Sequence, residues 1–291
     1  MRSARSHHTL RRILVARGLI DPVAQWEPLS GGRTNRIWRV GSGSTAIVCK
    51  LFSGAGGSPL FPNNPSDEVA ALQTLKGTGL APDYLGHIET ALGTCLLYKY
   101  VESGVIQQSI AIAATCIARL HSTPVVESCI AKFDYERAEE ELLSGLRQEI
   151  GADFRALRPD TPPITNANAF LHGDIVPNNI VWSANGPLLI DWQCPRIGDP
   201  VDDVAVFLSP SMQYLYGGKP LVEGLVDAFF AAYDNSEVAQ RFKRFRRYYH
   251  WRMALHCAWK TRNGDDAYGP AMALELEALQ RCPEPASDPT R

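Results

Sequence analysis

The amino-acid sequence predicts an α+β protein with a small β-rich N-terminal lobe and a larger, mainly helical C-terminal lobe. The chain has 291 residues, of which 45% are apolar and 21% are charged, a composition typical of a globular protein with a sizeable core. Strand-like segments dominate up to residue 100, and helical periodicity dominates after residue 104. We therefore predict an N-terminal lobe over residues 1–101 and a C-terminal lobe over residues 102–291.

The first twenty residues contain five arginines and no acidic residue. Such a segment can mimic a transit peptide, although it lacks the apolar stretch of a secretory signal. It is equally typical of a surface helix, and both interpretations stay open at this point.

The β-rich lobe is predicted from turn residues that separate apolar runs. Gly41-Ser42-Gly43-Ser44 lies between two strand-like segments and predicts a hairpin. Residues 53–65 are rich in Gly, Pro and Asn and predict a loop, which is either a lid or a passive insertion. The predicted elements are strands over 36–40, 45–52, 83–89 and 94–100 and a helix over 67–76.

The larger lobe is predicted from helical periodicity interrupted by one hairpin. Ser183-Ala184-Asn185-Gly186 separates two short apolar runs and is typical of a hairpin turn. The predicted elements are helices over 105–121 and 134–149, short strands over 180–182 and 187–192, and helices from residue 201 onward, with a long aromatic-rich helix over 238–261.

Charge and cysteine usage exclude several classes of protein. Lys and Arg number 29 and Asp and Glu 31, for a net charge of −2, and the one basic cluster, Arg241–Arg247, is typical of a solvated helix face, so we expect no nucleic-acid partner. No segment approaches the roughly 20 apolar residues of a membrane span, so we expect no membrane partner. The seven cysteines form no Cys-x-x-Cys pair, which favours reduced thiols in the cytoplasm.

The main group of chemically active side chains lies in the segment LHGDIVPNN at residues 171–179 and in LLIDW, which ends the following hairpin. Asp174, Asn179 and Asp191 can face one small volume. Mg²⁺ takes oxygen ligands and commonly uses one or two carboxylates plus substrate phosphates, while a separate aspartate can receive the proton of a hydroxyl. The spacing therefore predicts Asp174 as the general base and Asn179 and Asp191 as magnesium ligands. The alternative is that these residues only form turns and caps.

The pattern His-Gly-Asp-x-x-x-x-Asn followed by Ile-Asp-Trp resembles the aminoglycoside phosphotransferase and choline kinase superfamily of kinase-like enzymes. The run GDPVDDVA at residues 198–205 resembles a second motif of the same group. The resemblance extends from about Trp26 to Trp259. It implies a two-lobed protein-kinase-like fold, the cofactors ATP and Mg²⁺, and a supporting role for His172 and Asp203 at the catalytic loop.

The resemblance also implies a nucleotide site in the first lobe. Lys50 ends a predicted strand and would contact the ATP phosphates, and Glu68 in the next predicted helix would pair with it, with Asp67 as the neighbouring alternative. A Ser-Gly-Gly-x-Thr-Asn loop would cover the nucleotide, and the chain after the last strand would contact adenine. The residues implied in these two roles are Gly31, Gly32, Thr34 and Asn35 in the loop, and Tyr98 and Tyr100 in the hinge that runs to Val101.

A small-molecule hydroxyl is the expected acceptor, because no Ala-Pro-Glu motif follows Asp191. Aromatic rings can bind a quaternary ammonium group, and the candidates are Trp192, Tyr248 and Trp251, with core packing as the alternative. Many relatives have Glu where this chain has Gln193, so a carboxylate is missing there. We predict an acceptor similar to choline, ethanolamine or thiamine; the alternatives are an aminoglycoside, or a kinase-like nucleotide or metabolite sensor without transfer activity.

Overall fold

The computed structural model describes residues 2–29, 34–52, 54, 56–104, 108–124, 130–165 and 168–283. In these residues an antiparallel sheet forms the N-terminal part and helices dominate the C-terminal part, which confirms the predicted α+β class. The strands are β1 (Trp26–Pro28), β2 (Arg36–Val40), β3 (Ile47–Leu51), β4 (Tyr84–Thr90), β5 (Gly93–Lys99), β6 (Ala169–Leu171), β7 (Ile180–Ser183), β8 (Gly186–Leu189) and β9 (Arg196–Gly198). The helices are α1 (Arg2–Ala16), α2 (Pro65–Thr74), α3 (Ile110–His121), α4 (Tyr135–Ser144), α5 (Gln148–Ala156), α6 (Val201–Leu208), α7 (Pro210–Gly217), α8 (Glu223–Tyr233), α9 (Ser236–Arg262) and α10 (Tyr268–Arg281).

The N-terminal sheet has the strand order β1-β2-β3-β5-β4, with antiparallel neighbours throughout. Strand β3 therefore has a partner on both sides, and Lys50 is in register with Ile37 and Leu96. Because successive side chains in a strand point to opposite faces, Val48 and Lys50 share one face and Cys49 lies on the other. The face with Lys50 contacts the C-terminal part, and this geometry fixes the position of the lysine.

Helix α1 covers the opposite face of the sheet. Leu10 and Leu14 lie one helical turn apart, and both are fully buried against Trp38 and Leu97. The segment is thus a helix, as the surface-helix interpretation states, and its apolar side packs onto the sheet as part of a core.

Helix α2 begins at Pro65, two residues before the predicted start. The side chain of Asn64 accepts a hydrogen bond from the backbone N–H of Ser66 at 3.0 Å and so caps the helix, while proline at the first helical position already has a helical φ. Glu68 then lies in the first turn, where it faces the sheet and is buried.

The predicted helix over residues 134–149 is two helices, α4 and α5. The chain turns at Gly145, whose N–H bonds to the carbonyl of Glu141 at 3.1 Å. A Cβ atom at this position would lie 2.6 Å from the indole nitrogen of Trp259. Close packing against α9 therefore requires glycine here, and helical periodicity alone does not reveal that contact.

The catalytic-loop segment lies between β6 and β9, which pair with each other, and the β7–β8 hairpin lies within this connection. The predicted strand over 187–192 ends at Leu189. Beyond it, Asp191 has a φ of +67°, in a region that residues other than glycine seldom adopt. The chain therefore turns at Asp191, just after the end of the β7–β8 hairpin.

Helix α9 forms the centre of the C-terminal part and packs on α4, α6, α7 and α10. It is 27 residues long, and eleven of its residues are buried. Among the described residues, none of the helices has the length and apolar character needed to cross a membrane.

The contact between α9 and α10 contains a buried ionic pair that makes stability depend on pH. The carboxylate of Glu275 accepts hydrogen bonds from the backbone N–H of Ser211 at 3.0 Å and from Nδ1 of His250 at 2.7 Å. Burial disfavours the imidazolium form of His250, but its contacts with Cys282 and Glu275 outweigh this effect and raise its pKa to about 9.

We therefore expect the free energy of unfolding to fall by about 1–3 kcal/mol as the pH rises through about 9, because a proton that the native state binds more tightly than the unfolded state is lost there. This contribution is fully present below the histidine's ordinary pKa of about 6.5. The measurement is urea unfolding as a function of pH for the wild type and for His250→Gln, with the exposed His87→Gln as a control. Equal pH dependence in all three proteins would contradict this assignment.

Candidate active site

The loop after β6 contains His172, Gly173 and Asp174, and Asp203 fixes its backbone. The two carboxylate oxygens of Asp203 accept hydrogen bonds from the backbone N–H groups of His172 at 2.7 Å and of Gly173 at 2.8 Å. Asp203 also contacts Nε2 of His121 at 3.1 Å. Because Asp203 lies in the first turn of α6, the position of the loop is tied to that helix.

His172 connects this loop to the chain that follows the hairpin. Its Nε2 donates to the carbonyl of Ile190 at 2.9 Å, and its Nδ1 accepts from the backbone N–H of Asp174 at 3.3 Å, which together indicate the neutral Nε2–H tautomer. Burial lowers the pKa of His172, in agreement with a neutral ring. The ring of Trp192 packs against it with centroids 4.3 Å apart.

Asp174 follows His172 and Gly173 in the loop and has an environment suited to proton transfer. Enclosure by the surrounding protein, together with the nearby carboxylate of Asp191, raises the pKa of Asp174 to about 7. A carboxyl group with a pKa near neutral can accept a proton and release it again. The amide nitrogen of Asn179 donates to the backbone carbonyl of Asp174 at 2.9 Å, so that these two residues are held as a unit.

Lys50 forms a buried ionic cluster with two carboxylates. Its ammonium group donates hydrogen bonds to Glu68 and to Asp191, and the lysine side chain is fully buried. Burial alone would disfavour the charge on Lys50, but Asp191 and Glu68 outweigh it and raise the pKa of the lysine. The structure therefore joins the N-terminal sheet, α2 and the end of the hairpin through one charged lysine.

Asn179 and Asp191 present the kind of oxygen donors that Mg²⁺ prefers. The amide nitrogen of Asn179 already donates to a carbonyl, so its oxygen is the atom that can bind a cation. One oxygen of Asp191 accepts from Lys50, and the other can serve as a ligand. Both residues line the same cavity, and two protein ligands suffice where substrate phosphates complete the coordination. The residues present thus fit a magnesium ion.

That cavity has a volume of about 370 Å³ and lies between the sheet and the hairpin; we refer to it as the interlobe cavity. Tyr98 and Tyr100 lie on its wall, as their predicted role requires. The backbone N–H groups of Lys99 and Tyr100 are already hydrogen bonded to other carbonyls, so a hinge contact falls to Val101. The apolar lining of the interlobe cavity includes Leu29, Ile37, Val48, Pro82, Val181 and Ile190.

A second, smaller space of about 50 Å³ contains Asp174 and is called the Asp174 cavity here. Segment 56–64 forms one wall, because Ser58 contacts Nδ1 of His256 at 3.3 Å and Phe61 packs edge-on against that ring. The other side chains that line it are Thr34, Gln193, Met212, Tyr216, Lys260 and Tyr268. Segment 56–64 therefore packs against α9 of the C-terminal part.

The predicted nucleotide loop is only partly described. Gly31 and Gly32 lie outside the described residues, and Thr34 lines the Asp174 cavity. The side chain of Asn35 is buried, and it donates to Asn63 at 2.8 Å and to Gln193 at 3.2 Å. The prediction that Asn35 contacts the nucleotide is therefore not supported, because its amide is used to connect the loop to segment 56–64.

The structure contradicts the predicted acceptor contacts. Trp192 and Trp251 are fully buried, and Tyr248 is nearly so. The indole of Trp251 donates to the carbonyl of Phe154 at 2.8 Å, and the Tyr248 hydroxyl donates to Glu139. These aromatic rings form the core of the C-terminal part, as the packing alternative states, and they do not line the Asp174 cavity.

Several site residues were missed by sequence reasoning. The guanidinium of Arg196 is buried and donates to the carbonyls of Leu60 at 3.0 Å and Gly173 at 3.4 Å, which connects segment 56–64 to the catalytic loop. No local pattern distinguishes this arginine. His256 and Lys260 lie one turn apart on α9, so helical spacing is a signal that places them on one face of that helix.

Gly173 is a second position where only glycine fits. Its φ is +81°, and a Cβ atom would lie 2.0 Å from the carbonyl oxygen of Cys194. We expect Gly173→Ala to displace the catalytic loop and to lower turnover at least about tenfold, since a misplaced reacting group is costly. The matched control is Gly218→Ala, because Gly218 has a φ of +84° with no atom near its Cβ position, so only backbone strain of roughly 1–2 kcal/mol is added.

Thermal unfolding and turnover of both variants separate the two effects. Equal losses of turnover in Gly173→Ala and Gly218→Ala would show that backbone strain alone matters at Gly173.

Comparison with protein-family models gives one family. The model of the phosphotransferase enzyme family matches residues 25–245. This range contains the loop after β6 and the β7–β8 hairpin. This match confirms the resemblance found in the sequence. No curated protein matches the chain.

The solved structures similar to this chain include kinases of two kinds. A choline/ethanolamine kinase family protein from Mesorhizobium loti is 18% identical, with a TM-score of 0.67, over 95% of each chain. Aminoglycoside phosphotransferase APH(4)-Ia, solved with AMP-PNP and hygromycin B, is 10% identical, with a TM-score of 0.63, over 94% of this chain and 98% of its own. Choline kinase from Cryptosporidium parvum Iowa II is 13% identical, with a TM-score of 0.60, over 94% and 95%. These similarities confirm the two-lobed, protein-kinase-like fold.

Proposed function

The chain belongs to the phosphotransferase enzyme family, and we propose that it is an ATP-dependent kinase that transfers the γ-phosphoryl group to an alcohol hydroxyl of a small molecule. The observation that carries this proposal is the pair of cavities on either side of the catalytic loop. Asp191, hydrogen bonded to the buried Lys50, lines the interlobe cavity, and Asp174 lines the other. A nucleotide in the first cavity and an alcohol in the second would meet between these carboxylates.

Each charged residue then has one role in the transfer. Lys50, positioned by Glu68 and hydrogen bonded to Asp191 in the wall of the interlobe cavity, would bind phosphate oxygens. Asp174 would accept the proton of the acceptor hydroxyl while the hydroxyl oxygen forms its bond to the γ-phosphorus and the bond from phosphorus to the ADP oxygen breaks. When bound by Asn179 and Asp191, Mg²⁺ would neutralise part of the phosphate charge.

The use of ATP is supported by the size and lining of the interlobe cavity. Its apolar wall, with Tyr98 on the sheet side and Ile190 on the hairpin side, suits a flat base, and the charged end at Asp191 suits phosphates. The similar structure of APH(4)-Ia contains AMP-PNP, an analogue of ATP.

Part of the sequence evidence for the predicted class of acceptor no longer applies. A choline-, ethanolamine- or thiamine-like alcohol was favoured by aromatic rings that lie in the core. The aminoglycoside alternative rests on a different observation: a groove of about 610 Å³ adjoins the Asp174 cavity at Gly57 and Ser58, and its lining includes Asp134, Arg137 and Glu141. Both acceptor classes therefore belong in the test.

The test is coupled release of ADP from purified protein and Mg·ATP with a panel of alcohols. The panel contains choline, ethanolamine, thiamine, simple sugars, hydroxy acids and aminoglycosides, and the control is Asp174→Asn. Acceptor-dependent ADP that is absent in the variant is the expected result. If ATP raises the Tm but no alcohol in the panel produces ADP, the kinase proposal is wrong and a nucleotide sensor becomes the better description.

A further inference from the structure

The charges of the Asp174 cavity narrow the class of acceptor. Its described lining residues include one carboxyl side chain, that of Asp174, and one ammonium side chain, that of Lys260. Burial and the nearby Lys260 lower the pKa of His256 to about 3, so its ring is neutral. Gln193 contributes an uncharged amide to the lining. A positively charged acceptor would therefore approach an ammonium group, and Asp174 alone among the described lining residues would offer it a carboxylate.

Lys260 is positioned to bind a ligand in this cavity. It lies one helical turn after His256 on α9, and its side chain is 24% exposed. Its nearest carboxylate, Asp265, is 3.6 Å away, which is longer than the roughly 2.7–2.9 Å of a charge-assisted hydrogen bond. The ammonium group has three donors, and the Tyr268 ring lies 5.2 Å from it on the same cavity wall. Donors thus remain for an anion.

The cavity also limits the size of the group that it encloses. A water molecule needs about 10–15 Å³ by the same measure, so about 50 Å³ corresponds to roughly three to five such positions. A short chain with a hydroxyl at one end and an anionic group at the other matches a space that has Asp174 and Lys260 in its walls.

We propose that the acceptor is a small hydroxylated acid whose anionic group binds to Lys260 while its hydroxyl is presented to Asp174. This inference rests on the proposed kinase function and specifies its substrate class. The carboxylates of the adjoining groove do not reverse the charge, because Glu141 is hydrogen bonded to Arg137 at 2.8 Å and Asp134 caps α4 through the Arg137 N–H at 3.0 Å.

The experiment compares three four-carbon alcohols that carry a carboxylate, a second hydroxyl or an ammonium group at the far end: gamma-hydroxybutyrate, butanediol and aminobutanol. Three-carbon alcohols with the same three end groups are tested beside them. Each is tested with the full chain and Mg·ATP for ADP release and, separately, for its effect on the Tm in the presence of ADP. The variants are Lys260→Gln and, as a matched control on the exposed side of the same helix, Lys243→Gln. We expect kcat/KM for the acid to exceed that for the diol and the amine by about 10- to 100-fold, as a charge-assisted hydrogen bond allows. Lys260→Gln should abolish this preference and Lys243→Gln should retain it.

The two readouts separate this inference from the proposed function. If kcat/KM for the diol or the amine equals that for the acid, the kinase proposal stands and the inference is overturned. If the acid raises the Tm only when Lys260 is present, yet no alcohol is phosphorylated, the binding site is supported and the kinase proposal fails. If the acid neither reacts nor raises the Tm, the inference is overturned.

Discussion

Asp174→Asn is expected to lower kcat by on the order of 10³-fold or more with little change in nucleotide binding. The amide has the shape of the carboxyl group but cannot take the proton of an acceptor hydroxyl. Because Asp174 lies in the Asp174 cavity and is separated from the apolar wall of the interlobe cavity, its replacement leaves the latter intact. Single-turnover and steady-state ADP release with the best acceptor measure the effect.

The control for this variant is the rise in Tm that Mg·ATP produces, which should be the same as in the wild type. A variant that binds nucleotide normally and still turns over at a near-normal rate would show that another group accepts the proton. Loss of both binding and turnover would instead point to a displaced loop.

Lys50→Met is expected to lower kcat/KM for ATP by about 10²-fold or more, because it removes the cation that contacts phosphate oxygens. It should also lower the free energy of unfolding by about 3–5 kcal/mol, since the buried carboxyl groups of Glu68 and Asp191 would lose the ammonium group that donates hydrogen bonds to both of them. Initial rates at several ATP concentrations and urea unfolding give the two quantities.

A second substitution separates catalysis from folding in this cluster. The double variant Lys50→Met with Glu68→Gln removes one of the two carboxylates, so it should regain part of the stability without regaining activity. Lys76→Met, an exposed lysine just beyond α2, is the control and should resemble the wild type. Recovery of activity in the double variant would contradict the role assigned to Lys50.

The site residues that could be predicted belong to short segments with a fixed spacing. Asp174, Asn179 and Asp191 lie within one loop and one hairpin, so local geometry brings them close whatever surrounds them. The contact between Lys50 and Glu68 was implied by the family resemblance, and the structure contains the hydrogen bond between them. Their chemical roles stay predictions until the variants are measured.

The elements that could not be predicted depend on contacts between distant segments. Segment 56–64 reads as a loop in the sequence, and only its contacts with His256 and Arg196 determine that it forms a wall of the Asp174 cavity. Asn35 likewise belongs to a nucleotide-loop motif, yet Asn63 and Gln193 take up its amide. Such partners lie far along the chain, and nothing in the local pattern identifies them.

The amino-acid sequence by itself therefore determined the fold class, the family and the candidate groups for phosphoryl transfer. Only the tertiary structure decided which face of α9 is core and which lines a cavity, because an aromatic face has the same helical spacing in either case. Tyr248 and Trp251 are buried by the packing of neighbouring helices, and Lys260 is left at the cavity by the same packing. The packing of the helices thus determines which charged side chains line the cavity, and no single segment of the sequence specifies that packing.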